Sequence, residues 1–117
     1  MNTPQPPSTV VVTLAEVDAG NADELRFELA TAVKRYVESP GASAEPLTID
    51  LGVVRFLDST GLSALLDADR AVRAVGGRLD LVGLQPAVRR VLEVTGVWEH
   101  LTATGRLNDL PWHRGLR

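Results

Sequence analysis

The chain has 117 residues, 44% hydrophobic and 23% charged, with a formal net charge of -3 and no cysteine. That length fits one domain whose folding buries roughly two-thirds of the surface the unfolded chain exposes, and the composition is far from that of a disordered chain. Without cysteine there is no disulfide, thiolate metal site or thiol nucleophile, and an acidic balance supplies no basic stripe for direct binding of nucleic acid or an anionic membrane.

Residues 1–9 are polar and proline-rich, without the charged segment and apolar run of a secretion signal. No apolar stretch approaches the ~18 residues of a membrane span. A flexible N-terminus over residues 1–8, no membrane partner and a cytoplasmic location are therefore expected. Thr9 to Leu14 reads T-V-V-V-T-L, a β-branched run expected to form a strand buried on both faces of a parallel sheet. Asn21 is placed to cap a helix, with Glu24 three residues on to complete a capping box. Leu25, Leu29, Ala32, Val33 and Tyr36 follow at helical spacing until Pro40-Gly41 stops the helix.

Ser39 to Pro46, rich in small and breaker residues, reads as an exposed loop inside the domain. Leu47 to Leu51 alternates apolar and polar, a second strand, and Val53, Val54, Phe56 and Leu57 carry the chain inward to Asp58-Ser59-Thr60-Gly61. Leu62, Leu65, Leu66, Val72 and Val75 then mark a helix face closed by Gly76-Gly77. Leu79 to Val82 is a third strand, and Pro86 opens a helix lined by Val88, Val91 and Leu92 and ended by Gly96. This alternation predicts a mostly parallel α/β sheet with right-handed crossovers. A further short strand is expected at Leu101 to Thr104, and residues 106–117 read as an irregular tail.

At Asp58-Ser59-Thr60-Gly61 a strand feeds a helix, so side-chain oxygens sit beside unpaired backbone amides. A phosphate on Ser59 there meets the positive end of the helix dipole and leaves the fold intact. Loops leaving the carboxyl ends of parallel strands share one edge, which places Asp18 near Asp58. The same four residues are also ordinary caps and turn formers, and spacing alone does not separate the two readings.

The wider pattern does. Leu47 to Leu57, then Asp58-Ser59-Thr60-Gly61-Leu62, Gly76-Gly77-Arg78-Leu79 and Pro86 to Gly96 together resemble the STAS domain of bacterial anti-sigma factor antagonists, and Ala15-Glu16-Val17-Asp18 is similar to that family's first-loop segment. The resemblance covers about Val10 to Thr104. It implies a STAS fold over residues 9–105: a mostly parallel or mixed four- to five-stranded sheet packed with about four helices. It also implies a non-enzymatic switch in which Ser59, with Thr60 as the alternative acceptor, is phosphorylated. The partner-binding residues around the acceptor are Asp18, Asn21, Asp58, Thr60, Gly61, Leu62 and Ser63.

The partners implied are an anti-sigma factor serine kinase and a metal-dependent serine phosphatase. ATP and its metal belong to the kinase, so no cofactor, metal or catalytic residue is assigned to this chain, and a monomer or weak dimer is expected. Departures from the family pattern are Ala15 and Ser63 in place of glycine, a first strand that looks short, an extended loop at 39–46 and no evident C-terminal helix. Alternative roles are a scaffold of a stress-signalling assembly, a regulatory subunit of a lipid transporter, or a small-molecule binder at the same loop. Arg89 and Arg90 read as solvated charges, Trp98 and Trp112 as packing residues, and His100 and His113 as lacking the carboxylate and nucleophile neighbours of a catalytic base.

Overall fold

Each long helix begins at a residue suited to starting one. In the computed structural model, which describes residues 9–39 and 45–102, α1 (Ala22–Glu38) follows Asn21, α2 (Ser59–Arg73) follows Asp58, and α3 (Pro86–Val94) carries its proline in the first turn. A short α4 (Val97–Thr102) comes directly after α3. The turns beyond α2 and α3 use left-handed glycines, Gly76 at φ 83° and Gly96 at φ 81°, a conformation that costs residues with a Cβ far more.

Among the described residues the strands are β1 (Thr9–Val11), β2 (Glu16–Val17), β3 (Leu47–Asp50), β4 (Phe56–Leu57) and β5 (Leu79–Val82). All the pairings are parallel, in the orders β1-β3-β5 and β2-β4. Two chain segments therefore pair twice. Val11 lies opposite Asp50, and Glu16 lies opposite Phe56, so the second segment holds one residue more between the two ladders. A turn closed by the Val54 amide on the Leu51 carbonyl takes up that residue, as a bulge does. The β2–β4 ladder thus continues the β1–β3 ladder after an interruption and carries it toward the start of α2.

The core is built from Leu25, Leu29 and Tyr36 of α1, Leu47 and Ile49 of β3, Leu65 and Val72 of α2, and Val88 and Leu92 of α3, with Val12, Leu51 and Val54 from the connections. Tyr36 is buried and its hydroxyl donates to the Glu45 carbonyl, which supplies the partner a buried phenol needs.

The α/β class, the parallel pairing and, among the described residues, the four helices agree with expectation, and several details differ. Among the described residues β1 lies at the edge of its sheet, and Val11 is exposed. The strand buried most deeply is β3, central between β1 and β5, where Thr48 is buried despite the alternating pattern. Val75 lies beyond α2 and is exposed. Leu101 belongs to α4, not to a strand, because it packs into the core one turn after Val97. Arg89 does not stand free in solvent: it pairs with Glu93 at 3.1 Å and covers the Trp98 ring at 4.8 Å. The expectations for residues 1–8, 40–44 and 103–117, including Trp112 and His113, lie outside the described residues.

Candidate functional site

β2 and β4 end side by side. Val17 lies opposite Leu57, and the Asp58 amide donates to the Val17 carbonyl at 3.1 Å. Asp18 and Asp58 therefore leave strands spaced at about 4.8 Å, each one step past the last pair. The adjacency expected from topology follows directly from this register.

Asp58 is the N-cap of α2. Its Oδ1 accepts the Thr60 hydroxyl at 2.5 Å, the Thr60 amide at 2.9 Å and the Gly61 amide at 3.4 Å. The Thr60 hydroxyl, more than any other group, holds the carboxyl below the usual carboxylate range, with the two amides adding to the effect and partial desolvation opposing it. A full negative charge thus sits at the positive end of the helix dipole.

Ser59, the first residue of α2, is exposed, and among the described residues its hydroxyl has no hydrogen-bond partner. Thr60 is half-buried and spends its hydroxyl on Asp58. Gly61 is buried: a Cβ there would stand 2.8 Å from Leu57 Cγ and Cδ1 and 3.0 Å from Val17 Cγ1. Only glycine lets the start of α2 lie this close to β2 and β4. Leu62 is 5% exposed and joins the core. The helix turns Gly61 and Leu62 inward, Leu62 as its spacing with Leu65 and Leu66 leads one to expect and Gly61 against the ends of β2 and β4.

Asn21 also departs from expectation. It precedes α1 but makes no side-chain cap, and the capping box with Glu24 is not formed. Its Oδ1 accepts from the Asp18 amide at 2.9 Å and its Nδ2 donates to the Glu16 carbonyl at 2.8 Å. Together with the Gly20 amide bonded to Asp18 Oδ1 at 2.9 Å, these contacts fix the first loop, and with it the exposed carboxylate of Asp18.

Ser63 is half-buried and accepts a hydrogen bond from Arg26 Nη2 at 3.2 Å, while Arg26 Nη1 meets Asp67 Oδ2 at 2.6 Å. Arg26 carries no signal of this role in the sequence. It sits on α1, 37 and 41 residues from these partners, and periodicity alone marks it only as the flank of an apolar face. Likewise His100 does have a carboxylate neighbour, since Asp69, 1% exposed, pairs with Arg73 at 3.0 Å and stands 3.7 Å from His100 Nε2. Among the described residues no group of three or more His, Asp or Glu side chains is arranged to hold a metal ion, and no helix is long and apolar enough to cross a membrane.

Parallel strands, crossover helices and an acidic rim around one exposed serine define the class of domain, and the comparisons give its family. Residues 1–108 match the model of the STAS domain. The chain belongs to the STAS domain family. It is 34% identical over 80 residues to BtrV of Bordetella bronchiseptica, named as a candidate anti-sigma factor antagonist, across 68% of this chain and 63% of that protein. It is 25% identical over 84 residues to the anti-sigma F factor antagonist of Paenibacillus polymyxa, across 72% of this chain and 67% of the relative. The match thus spans slightly less than two-thirds of the Bordetella protein. The crystal structure of a candidate anti-sigma factor antagonist from Thermotoga maritima superposes with a TM-score of 0.62 at 19% identity, over 80% of this chain and 76% of that one. That likeness bears on the fold alone.

Proposed function

We propose that this chain is an anti-sigma factor antagonist that docks on an anti-sigma factor when unmodified and is switched off when that partner, a serine kinase, phosphorylates Ser59. The observation that carries the reading is the exposed Ser59 hydroxyl at the start of α2, beside a Thr60 hydroxyl already committed to Asp58. The names of the Bordetella and Paenibacillus relatives support the general role.

Docking uses the rim formed by Asp18, Asn21, Asp58, Thr60 and Ser63, with Gly61 and Leu62 supporting it from beneath. A phosphate adds about -1.5 to -2 charges next to the Asp18 and Asp58 carboxylates. Repulsion and lost contact of several kcal/mol weaken docking about a hundredfold or more, and an unphosphorylated antagonist releases the sigma factor by occupying its inhibitor. A metal-dependent serine phosphatase restores the docking form. ATP and metal act in the kinase, so no catalytic step falls to this chain, which works in the cytoplasm as a monomer or weak dimer without touching nucleic acid or membrane. Residues 9–105 are the working unit.

The test is phosphorylation by candidate anti-sigma kinases with ATP, mapped by mass spectrometry. Phosphate on Ser59, and none on Ser59→Ala, is expected. Undiminished labelling of Ser59→Ala overturns the reading.

A further inference from the structure

Ser59 begins a stripe on the outer side of α2 that continues through Ser63 to Asp67, and Arg26 of α1 holds the latter two. Ser59 and Ser63 are four residues apart, so their Cβ atoms are about 5–6 Å apart on one helix face. The Arg26 guanidinium, 3.2 Å from Ser63 Oγ, thus bonds the residue one turn further along α2 from Ser59.

We propose that Arg26 is an internal partner for the phosphate: when Ser59 is phosphorylated, the guanidinium leaves Asp67 and pairs with the phosphoryl oxygens. This rests on the reading of Ser59 as the modified residue. A dianion offering two oxygens to the planar fork of arginine outcompetes a single carboxylate. The exchange leaves no charge stranded, because Asp67 keeps Arg70 at 2.9 Å and its side chain is half exposed. The Arg26 side chain is itself 40% exposed, so burial does not block the exchange. Asp58 caps α2 through the Thr60 and Gly61 amides and Asp18 leaves the neighbouring strand, so their repulsion disfavours holding the phosphate at the strand ends. Arg26 also lines the apolar groove between α1 and α2, with Leu29, Val33, Ala64 and Ala68. Its departure carries the state of Ser59 from the start of α2 to the rim of that groove.

The experiment installs phosphoserine at position 59 of the full chain during translation, so no kinase is required, and follows the phosphate by phosphorus NMR across pH 4 to 9. An opposite charge lowers the second phosphate pKa, normally about 6. Arg26→Gln is expected to raise it by roughly 0.2–0.7 pH units, the shift an exposed ion pair supplies. Arg35→Gln, which removes the same charge from the far end of α1, is expected to leave it unchanged. In the unsubstituted chain, the Arg26 Nε resonance moves on phosphorylation. Equal titration of all three proteins, or equal shifts in both variants, overturns the proposal, as does an Arg26 resonance blind to the phosphate. Loss of the anti-sigma partner is read by a separate binding assay, so the switch and the internal pairing fail independently.

Discussion

Thr60 donates its hydroxyl to Asp58 Oδ1 at 2.5 Å, while Ser59, between them in sequence, turns its hydroxyl to solvent. One hydroxyl serves the helix cap and the other is left for chemistry. Thr60→Val removes the strongest of the contacts that hold the Asp58 carboxyl low. A carboxylate whose folded pKa lies below its unfolded value, about 3.9, contributes stability that is full at neutral pH and fades as pH falls through the folded value. The variant is therefore expected to be less stable than the parent at pH 7, with the gap narrowing below about pH 4. Urea midpoints at pH 7 and pH 3 measure it, and an equal gap at both shows that the cap hydroxyl does not set the carboxyl's titration.

Gly61→Ala forces a methyl against Leu57 and Val17, both buried. Overpacking of this kind costs about 1–3 kcal/mol, and alanine's better helix propensity returns up to ~1 kcal/mol. A net loss of about 1 kcal/mol in urea denaturation is expected. A neutral or stabilising result means that α2 moves away from the strands at no cost.

Arg73→Ala takes from the buried Asp69 its nearest cation, leaving the His100 ring 3.7 Å away. Hydrogen bonds to charged groups contribute about 1.5–3 kcal/mol, so a loss in that range is expected. Arg35→Ala, at an exposed position, falls within about 0.5 kcal/mol of the parent. Comparable losses in the two variants contradict a structural role for the Asp69 cluster.

Glu28 stands in a different position. Its Oε1 is buried without a partner among the described residues, and burial, followed by the neighbouring Glu24, pushes its carboxyl above the usual value. A raised carboxylate pKa means that stability is lost as pH climbs from the unfolded value to the folded one. Glu28→Gln is expected to be more stable than the parent at pH 7 and indistinguishable from it below about pH 4. Thermal melts across that range decide it, and a gain that persists at pH 3 points to packing instead of charge.

Helix positions were largely legible in the residues. Leu25, Leu29 and Tyr36 announced α1 through their spacing, Pro86 opened α3, and Gly76 and Gly96 marked turns that require the left-handed backbone. The two-residue strands β2 and β4 were not, because a pair of residues has no period to detect. Alternation in Leu47 to Leu51 read as a strand with one wet face, yet β3 is buried because neighbours on both edges and helices around it cover the polar position. At the site, Ser59, Asp58 and Asp18 were visible in sequence. Arg26 was not, since its partners lie on another helix.

By itself the sequence determined what depends on near neighbours: where helices start and stop, which faces are apolar, and that a serine follows an acidic cap at a strand-to-helix turn. Tertiary structure alone decided what depends on distant residues meeting. It put Asp18 beside Asp58, set Gly61 against Leu57 and Val17, and laid Arg26 across Ser63 and Asp67. Side-chain reach is a few ångströms, so contacts between residues some forty positions apart exist only once the ladders and helices have been packed.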